Sequence, residues 1–282
     1  MTVKRYNRLR ADGIAAQGQG RGKEPAACRS RADENKDQRM LSLFVDVGME
    51  MLQNGAEIWR AEETIERMGY AYGAARMDIF SVTNYLAATM TMQDYGEQTV
   101  TRRVVISGNN FERVEELNAL SRDYCRRPFD MEELADRIDS IRDKKINIYK
   151  AYIGSLLVGS MFTVFFGGNA LDGVVSGLCA LLICFMQRNL KSLCSSNEFF
   201  YFLSSLIMGF LIGFIHLFLP INTAMVIIGD IMLLIPGLMM MNAIKDIFLD
   251  DTLSGIMRLT ESLFWTGGIA CGFIIPIFIM GM

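Results

Sequence analysis

Asp230 is the residue best placed to do chemistry in this sequence, because it interrupts an apolar run from Ile221 to Ala243 just ahead of Pro236-Gly237. If that run is a membrane-crossing helix entered near Ile221, the carboxyl sits about 14 Å deep, near the midplane of a bilayer. Pro236 cannot donate to the carbonyl of Met232, and Gly237 loosens the same turn. The spacing therefore predicts a helix broken one turn from a buried acid, with carbonyl oxygen released near a titratable group. Discontinuous membrane helices hold a coupling cation or a polar substrate in this way, and the carboxyl itself can carry a proton. The alternative is a tolerated kink whose acid is hydrogen-bonded to a neighbouring helix. One Asp does not forbid insertion: the Ile, Leu, Met and Val of this run contribute roughly −4 to −7 kcal/mol, against a cost of about 2.5–3.5 kcal/mol.

Two further groups carry charge in patterns worth reading. Downstream of the break, Lys245-Asp246 and Asp250-Asp251 are followed by Ser254-Gly255, Arg258 and Glu261. Asp246 and Asp250 are spaced to share one helix face, as are Arg258 and Glu261. Together they form either an acidic rim that attracts cationic groups or protons, or ordinary interfacial charges. Near the other end, Gly55-Ala56-Glu57-Ile58-Trp59-Arg60-Ala61-Glu62 continues to Arg67. An apolar seam of Leu41, Val45, Gly48, Leu52, Gly55 and Trp59 would be extended by Glu62, an acid where an apolar residue is due. A buried carboxylate needs a partner, and Arg60, three residues after Glu57, can supply a fork. A solvated ladder of helical charge pairs is the other reading. No nucleophile, metal-ligand spacing or phosphate loop accompanies these acids, so the sequence predicts no catalytic residue, no metal and no cofactor. Asp172 and the lone His216 are weaker candidates.

The elements that position these groups separate cleanly by charge. The chain holds 28 Lys+Arg and 31 Asp+Glu, but only 5 and 7 of them lie beyond residue 148. Such a split predicts an α-helical integral membrane protein with five transmembrane helices (149–282), preceded by a small cytoplasmic α/β domain (40–148). The spans run from about Tyr149 to Phe166, Ala170 to Met186, Phe199 to Leu219, Ile221 to Ala243, and Leu259 to the C-terminus. Within the front domain, a helix is expected over Met40–Tyr72, ended by Gly73 as a left-handed cap. Strands follow over Met77–Thr83, Tyr85–Met92 and Gln98–Ser107, turned at Asp94-Tyr95-Gly96-Glu97, then helices over Asn110–Arg126 and Met131–Lys145. Asp130 suits the N-cap of the second, which is expected to run on through Lys150 into the first span. Residues 1–39, with 10 Lys+Arg against 5 Asp+Glu and no periodicity, read as a disordered basic tail.

Lys and Arg flank the spans on one side only. Lys144, Lys145, Lys150, Arg188, Lys191, Lys245 and Arg258 lie on that side, whereas the turns at Gly167–Asn169 and near Pro220 have none. The positive-inside rule then puts the N-terminus in the cytoplasm and the C-terminus outside a multi-pass cell membrane protein. No apolar signal region appears in the first forty residues, so no cleavable leader is expected. Cys28, Cys125, Cys179, Cys184, Cys194 and Cys271 are scattered and read as reduced packing residues. Paired glycines in the spans (Gly154 and Gly159, Gly173 and Gly177, Gly209 and Gly213, and Gly267, Gly268 and Gly272) suit close helix packing.

The motif from Gly55 to Arg67, opening an α/β domain ahead of five spans with a Pro-Gly break and an Asp-rich Ser-Gly connection, resembles the threonine/serine exporter family over about residues 40–282. The matching positions are Gly55, Glu57, Arg60, Glu62, Pro236, Gly237, Asp246 and Gly255. The resemblance implies proton-driven export of a small polar metabolite, either a threonine/serine-type amino acid or a succinate-like dicarboxylate. Family members in one long chain have about ten spans, so five resemble the large component of a split exporter. A small membrane protein of the same family, or a homo-oligomer, is then the expected partner, and no nucleic acid is. The reading from another class is a membrane-anchored cytoplasmic enzyme or ligand sensor, in which the spans only tether residues 40–148.

Overall fold

The structure, a computed structural model, describes residues 31–93, 96–105, 108–144, 147–194 and 196–281. Two helices open it: α1 (Arg31–Gln53) and α2 (Ile58–Tyr72). The single helix expected over Met40–Tyr72 is thus divided, because Gly55 adopts φ +92°, a left-handed conformation that only glycine enters without strain. A Cβ there would also collide with the Asn109 side chain. The break rotates the second half of the seam, leaving Trp59 38% exposed while Ile58, Ala61, Ile65 and Met68 face the core. Helix α1 also begins nine residues before the expected start. Its first turns are polar but not solvated all round: Asp37 is buried and accepts a hydrogen bond from Tyr72 Oη at 2.7 Å. The remainder of the expected basic tail lies outside the described residues, as do Cys28 and the Asp94-Tyr95 turn.

Gly73 ends α2 in the left-handed conformation predicted from its position. Three antiparallel strands follow in the order β1 (Arg76–Val82), β2 (Tyr85–Thr91) and β3 (Glu97–Arg103). Ala88 stands opposite both Ile79 and Val100. The alternation on β2 buries Leu86, Ala88 and Met90 against α1 and α2, as period-two patterning requires. Helices α3 (Phe111–Arg126) and α4 (Met131–Arg142) close this core around Tyr124 and Phe44. Asp130 does sit at the N-cap of α4, but its side chain makes no capping hydrogen bond.

Helix α4 does not continue into the first span. Arg142 Nε is held by Glu50 Oε1 of α1 at 2.7 Å, and Arg113 donates to the Arg142 carbonyl, so the end of α4 is fastened to its own domain. A new helix, α5 (Ile148–Phe165), is capped by the Asn147 side chain.

Then come α6 (Ala170–Asn189), α7 (Asn197–His216), α8 (Thr223–Leu234), α9 (Gly237–Phe248) and α10 (Thr252–Met280). Helices α5, α6, α7 and α10 are long and apolar enough to cross a membrane, and α8 with α9 forms a fifth, broken candidate bent by 55°. The bend falls where the Pro-Gly pair predicts it. The Gly237 amide donates to the Ile235 carbonyl, so the α-helical ladder stops. Helix α10 packs along α7, α5 along α6, and α8 against both α5 and α6. Buried Phe200, Met208, Ile212, Val226 and Phe273 fill this bundle, while Tyr149, Phe165, Phe264 and Phe278 point outward.

Small residues set the helix separations. A Cβ at Gly159 would lie 2.7 Å from Ala180 Cβ, and one at Gly209 2.8 Å from Pro276. Gly154 and Gly267 differ from their paired neighbours: a Cβ on either meets nothing within 4 Å. These two are therefore not packing glycines within this chain.

Candidate functional site

Asp230 lies on α8 with 0% exposure. Its position follows from Gly229, where a Cβ would come within 2.8 Å of Ser176 Oγ and 2.9 Å of the Gly159 carbonyl and would overlap Thr163 Oγ1. Glycine thus lets α8 sink into the crevice between α5 and α6. There Ser176 Oγ donates to Asp230 Oδ1 at 2.9 Å while lying 3.1 Å from the Gly159 carbonyl. Thr163 Oγ1 donates to that same carbonyl at 2.9 Å. Asp230 Oδ2 has no hydrogen-bond partner among the described residues, and the Cys179 thiol lies beside the carboxyl.

This geometry has a definite chemical capacity. With Asp230 ionised, the Ser176 proton points to Oδ1. With Asp230 protonated, Ser176 can turn its proton to the Gly159 carbonyl and accept from the acid instead. One hydroxyl therefore serves both states without moving a helix. Ser176, Thr163 and Gly229 were not singled out from sequence, and Gly159 was read only as a packing glycine. Small residues at helical spacing around Ser176, from Gly173 to Gly177, carried the available signal, but they read equally as packing.

The second group assembles where α9 meets α10. Gly255 permits that contact, since a Cβ there would lie 2.8 Å from the Ala243 carbonyl and 2.9 Å from the Ile247 amide nitrogen. One turn on, Arg258 Nη1 faces Asp246 Oδ2 at 3.3 Å, with both side chains almost fully buried. Glu261 lies within electrostatic range of Arg258 and of Glu198. Asp250 does not join them. Helix α9 ends at Phe248, so the four-residue spacing from Asp246 no longer defines a shared face, and Asp250 is exposed at φ +71°. Asp251 occupies the N-cap position of α10, partly buried and without a capping hydrogen bond, and burial, then Asp250, pushes its carboxyl above the usual aspartate range.

The Gly55–Arg67 motif docks onto the same elbow. Glu57 Oε1 accepts from Lys245 Nζ at 2.6 Å, and Asn242 Nδ2 donates to the Gly55 carbonyl at 3.4 Å. Two motifs nearly two hundred residues apart thus form one surface. Arg60 is not the partner of a buried Glu62. It is half exposed, 4.0 Å from Glu57, and its guanidinium lies over the Trp59 ring. Glu62 instead ties α2 to the sheet, with Oε1 accepting from Ser81 N at 2.9 Å and Ser81 Oγ at 2.7 Å. Burial raises the Glu62 carboxyl above its usual range despite those bonds, and Asp251 and Glu66 add to the effect.

The two minor candidates make local contacts at helix ends. Asp172 completes a capping box with Asn169 at the start of α6 and accepts from Asn222 N at 2.8 Å, stitching two connections together. His216 Nδ1 lies 3.1 Å from the Ile221 carbonyl at the end of α7. The described cysteines Cys125, Cys179, Cys184, Cys194 and Cys271 are free thiols.

Five apolar candidate spans, one of them broken near a fully buried acid, are the architecture of a multi-pass membrane protein. Residues 42–280 match the family model ThrE, described as "Putative threonine/serine exporter", and the chain belongs to that family. It is also 24% identical over 233 residues to the "Probable succinate transporter subunit YjjP" of Klebsiella aerogenes, across 81% of this chain and 89% of that relative. No solved structure matches it.

Proposed function

We propose that this chain is the larger component of a proton-driven exporter that moves a small polar metabolite, of the threonine/serine or succinate-like kind, out across the cell membrane. Asp230 is the proton carrier in this reading. The observation that carries it is the hydroxyl switch: Ser176 Oγ is 2.9 Å from Asp230 Oδ1 and 3.1 Å from the Gly159 carbonyl, so the buried acid can gain or lose a proton with its neighbour still satisfied. The 55° break after Leu234 supplies a joint beside that acid, about which α9 can move relative to α8. The half-helix α9 carries Lys245 and Asn242, which bind the front domain, so movement at the joint is coupled to that domain. Domain 40–148 is cytoplasmic in this reading, because Lys144, Lys150, Arg188, Lys191, Lys245 and Arg258 all fall on its side of the spans.

A small membrane protein of the same family completes the pathway. Support comes from the relative, whose name describes it as a transporter subunit. The test is substrate efflux from vesicles holding the chain and its partner under an imposed pH gradient. Asp230→Asn keeps the shape and an acceptor for Ser176 but cannot exchange the proton, so pH-driven efflux should collapse at unchanged protein level. Near-normal efflux by Asp230→Asn would make this acid structural and refute the assignment.

A further inference from the structure

We infer that the Asp246–Arg258 pair at the α9–α10 elbow is a substrate-recognition site for the ammonium and carboxylate of a zwitterionic α-amino acid, and that it selects against a dicarboxylate. The inference rests on the exporter reading and assigns that reading a binding site. Asp246 is 0% exposed and Arg258 4%, yet neither Asp246 oxygen nor Arg258 Nε makes a hydrogen bond among the described residues. A buried pair kept only for architecture is expected to meet as a hydrogen-bonded fork or to give way to apolar packing. Here the two charges face each other at 3.3 Å, with both Asp246 oxygens and Arg258 Nε left unbonded among the described residues.

The unspent groups match one kind of ligand. An α-amino acid presents three ammonium donors and a two-oxygen acceptor on the same carbon, so it can insert between the pair, giving its ammonium to Asp246 and its carboxylate to the Arg258 fork. The surroundings decide against a dianion. Glu57 and Asp251 lie within electrostatic range of Asp246, and Glu57 and Glu261 within range of Arg258. The nearby Lys245 is already bound to Glu57 at 2.6 Å. A second carboxylate would therefore approach Glu57, Asp251 and Glu261, whereas an ammonium finds a favourable field. Entry requires the Gly55–Glu57 turn to part from Asn242 and Lys245, which places the front domain over the mouth of the site.

The experiment uses the full chain in detergent and reads the shift of its thermal unfolding midpoint with added L-serine, L-threonine, succinate, N-acetyl-L-serine or L-serine methyl ester. L-serine or L-threonine should protect, while succinate and both blocked derivatives should need at least about tenfold higher concentration for the same shift. Asp246→Asn and Arg258→Lys should each weaken L-serine binding about tenfold to a hundredfold. Should either variant fail to fold, the blocked-ligand series on the unaltered chain decides the matter alone. Protection by succinate equal to that by L-serine, equal protection by a blocked derivative, unchanged L-serine affinity in folded variants, or no protection by any of the five would overturn the inference. The exporter reading fails separately, through the Asp230→Asn efflux assay: proton-driven serine efflux that is indifferent to Asp246→Asn would sink this site and leave the exporter standing.

Discussion

Gly229→Ala tests the architecture on which the Asp230 site depends. The added methyl would overlap Thr163 Oγ1 and lie 2.9 Å from the Gly159 carbonyl and 2.8 Å from Ser176 Oγ, where ordinary contact begins at 3.4 Å. The serine can rotate away but the carbonyl belongs to a helix backbone, so α8 must retreat by about 0.5 Å or the helices must spread. Overpacking of this kind costs about 1–3 kcal/mol. Rotating Ser176 away also removes its 2.9 Å bond to Asp230, and a hydrogen bond to a charged group contributes about 1.5–3 kcal/mol. The expected loss is roughly 2.5–6 kcal/mol in the ionised state, smaller when Asp230 is protonated. Ser176→Ala, which removes the bond without adding volume, isolates the second part and should cost less than Gly229→Ala. Reversible unfolding in mixed micelles measures both. A Gly229→Ala protein as stable as the parent would show that α8 does not seat against α5 and α6 as closely as described, and the hydroxyl switch would lose its basis.

Asp172→Ala should destabilise by about 1–3 kcal/mol through loss of a cap and of the Asn222 amide's acceptor, whereas Asp172→Asn, which retains an acceptor oxygen, should cost less; unfolding in micelles compares them. For Glu62 the sign follows from its raised folded-state pKa: the folded chain binds this proton more tightly, so the stabilisation is fully present below the ordinary value of 4.5 and is lost as pH rises through the folded value. Stability of the front domain should therefore decline with pH across that window, and Glu62→Gln, which can still accept from Ser81, should flatten the decline in a denaturant series at successive pH values. A reporter fused after Asn197 should be cytoplasmic and one after Met282 extracytoplasmic; a cytoplasmic C-terminus would mean that one apolar segment does not cross.

The charge split at residue 148 and the lengths of the apolar runs were sufficient to locate the apolar helices that are candidate spans, because insertion free energy is nearly additive along a segment and requires no knowledge of neighbours. The Pro-Gly break was legible for the same local reason: a proline cannot donate to the helix ladder wherever it sits. Strand alternation and the Gly73 cap were likewise local. The Gly55 break was not, since a glycine on an apolar seam suits close helix packing as well as it suits a left-handed turn, and the contact with Asn109 decides between them. Nor could helix spacing assign Asp250, whose place past the end of α9 depends on where that helix stops.

Sequence alone placed Asp230 deep in an apolar run, read Glu62 as an acid that would need a partner if buried, and set Glu57, Asp246 and Arg258 in charged helical patterns, but it could not say which partner each would find. Tertiary structure gave Asp230 to Ser176, Glu62 to Ser81 and Glu57 to Lys245, residues 54, 19 and 188 positions away. Pairing across such separations depends on which helix faces come together. Close-contact glycines such as Gly229 and Gly255 set those faces, and their role appears only when the atoms that would strike a Cβ are in place.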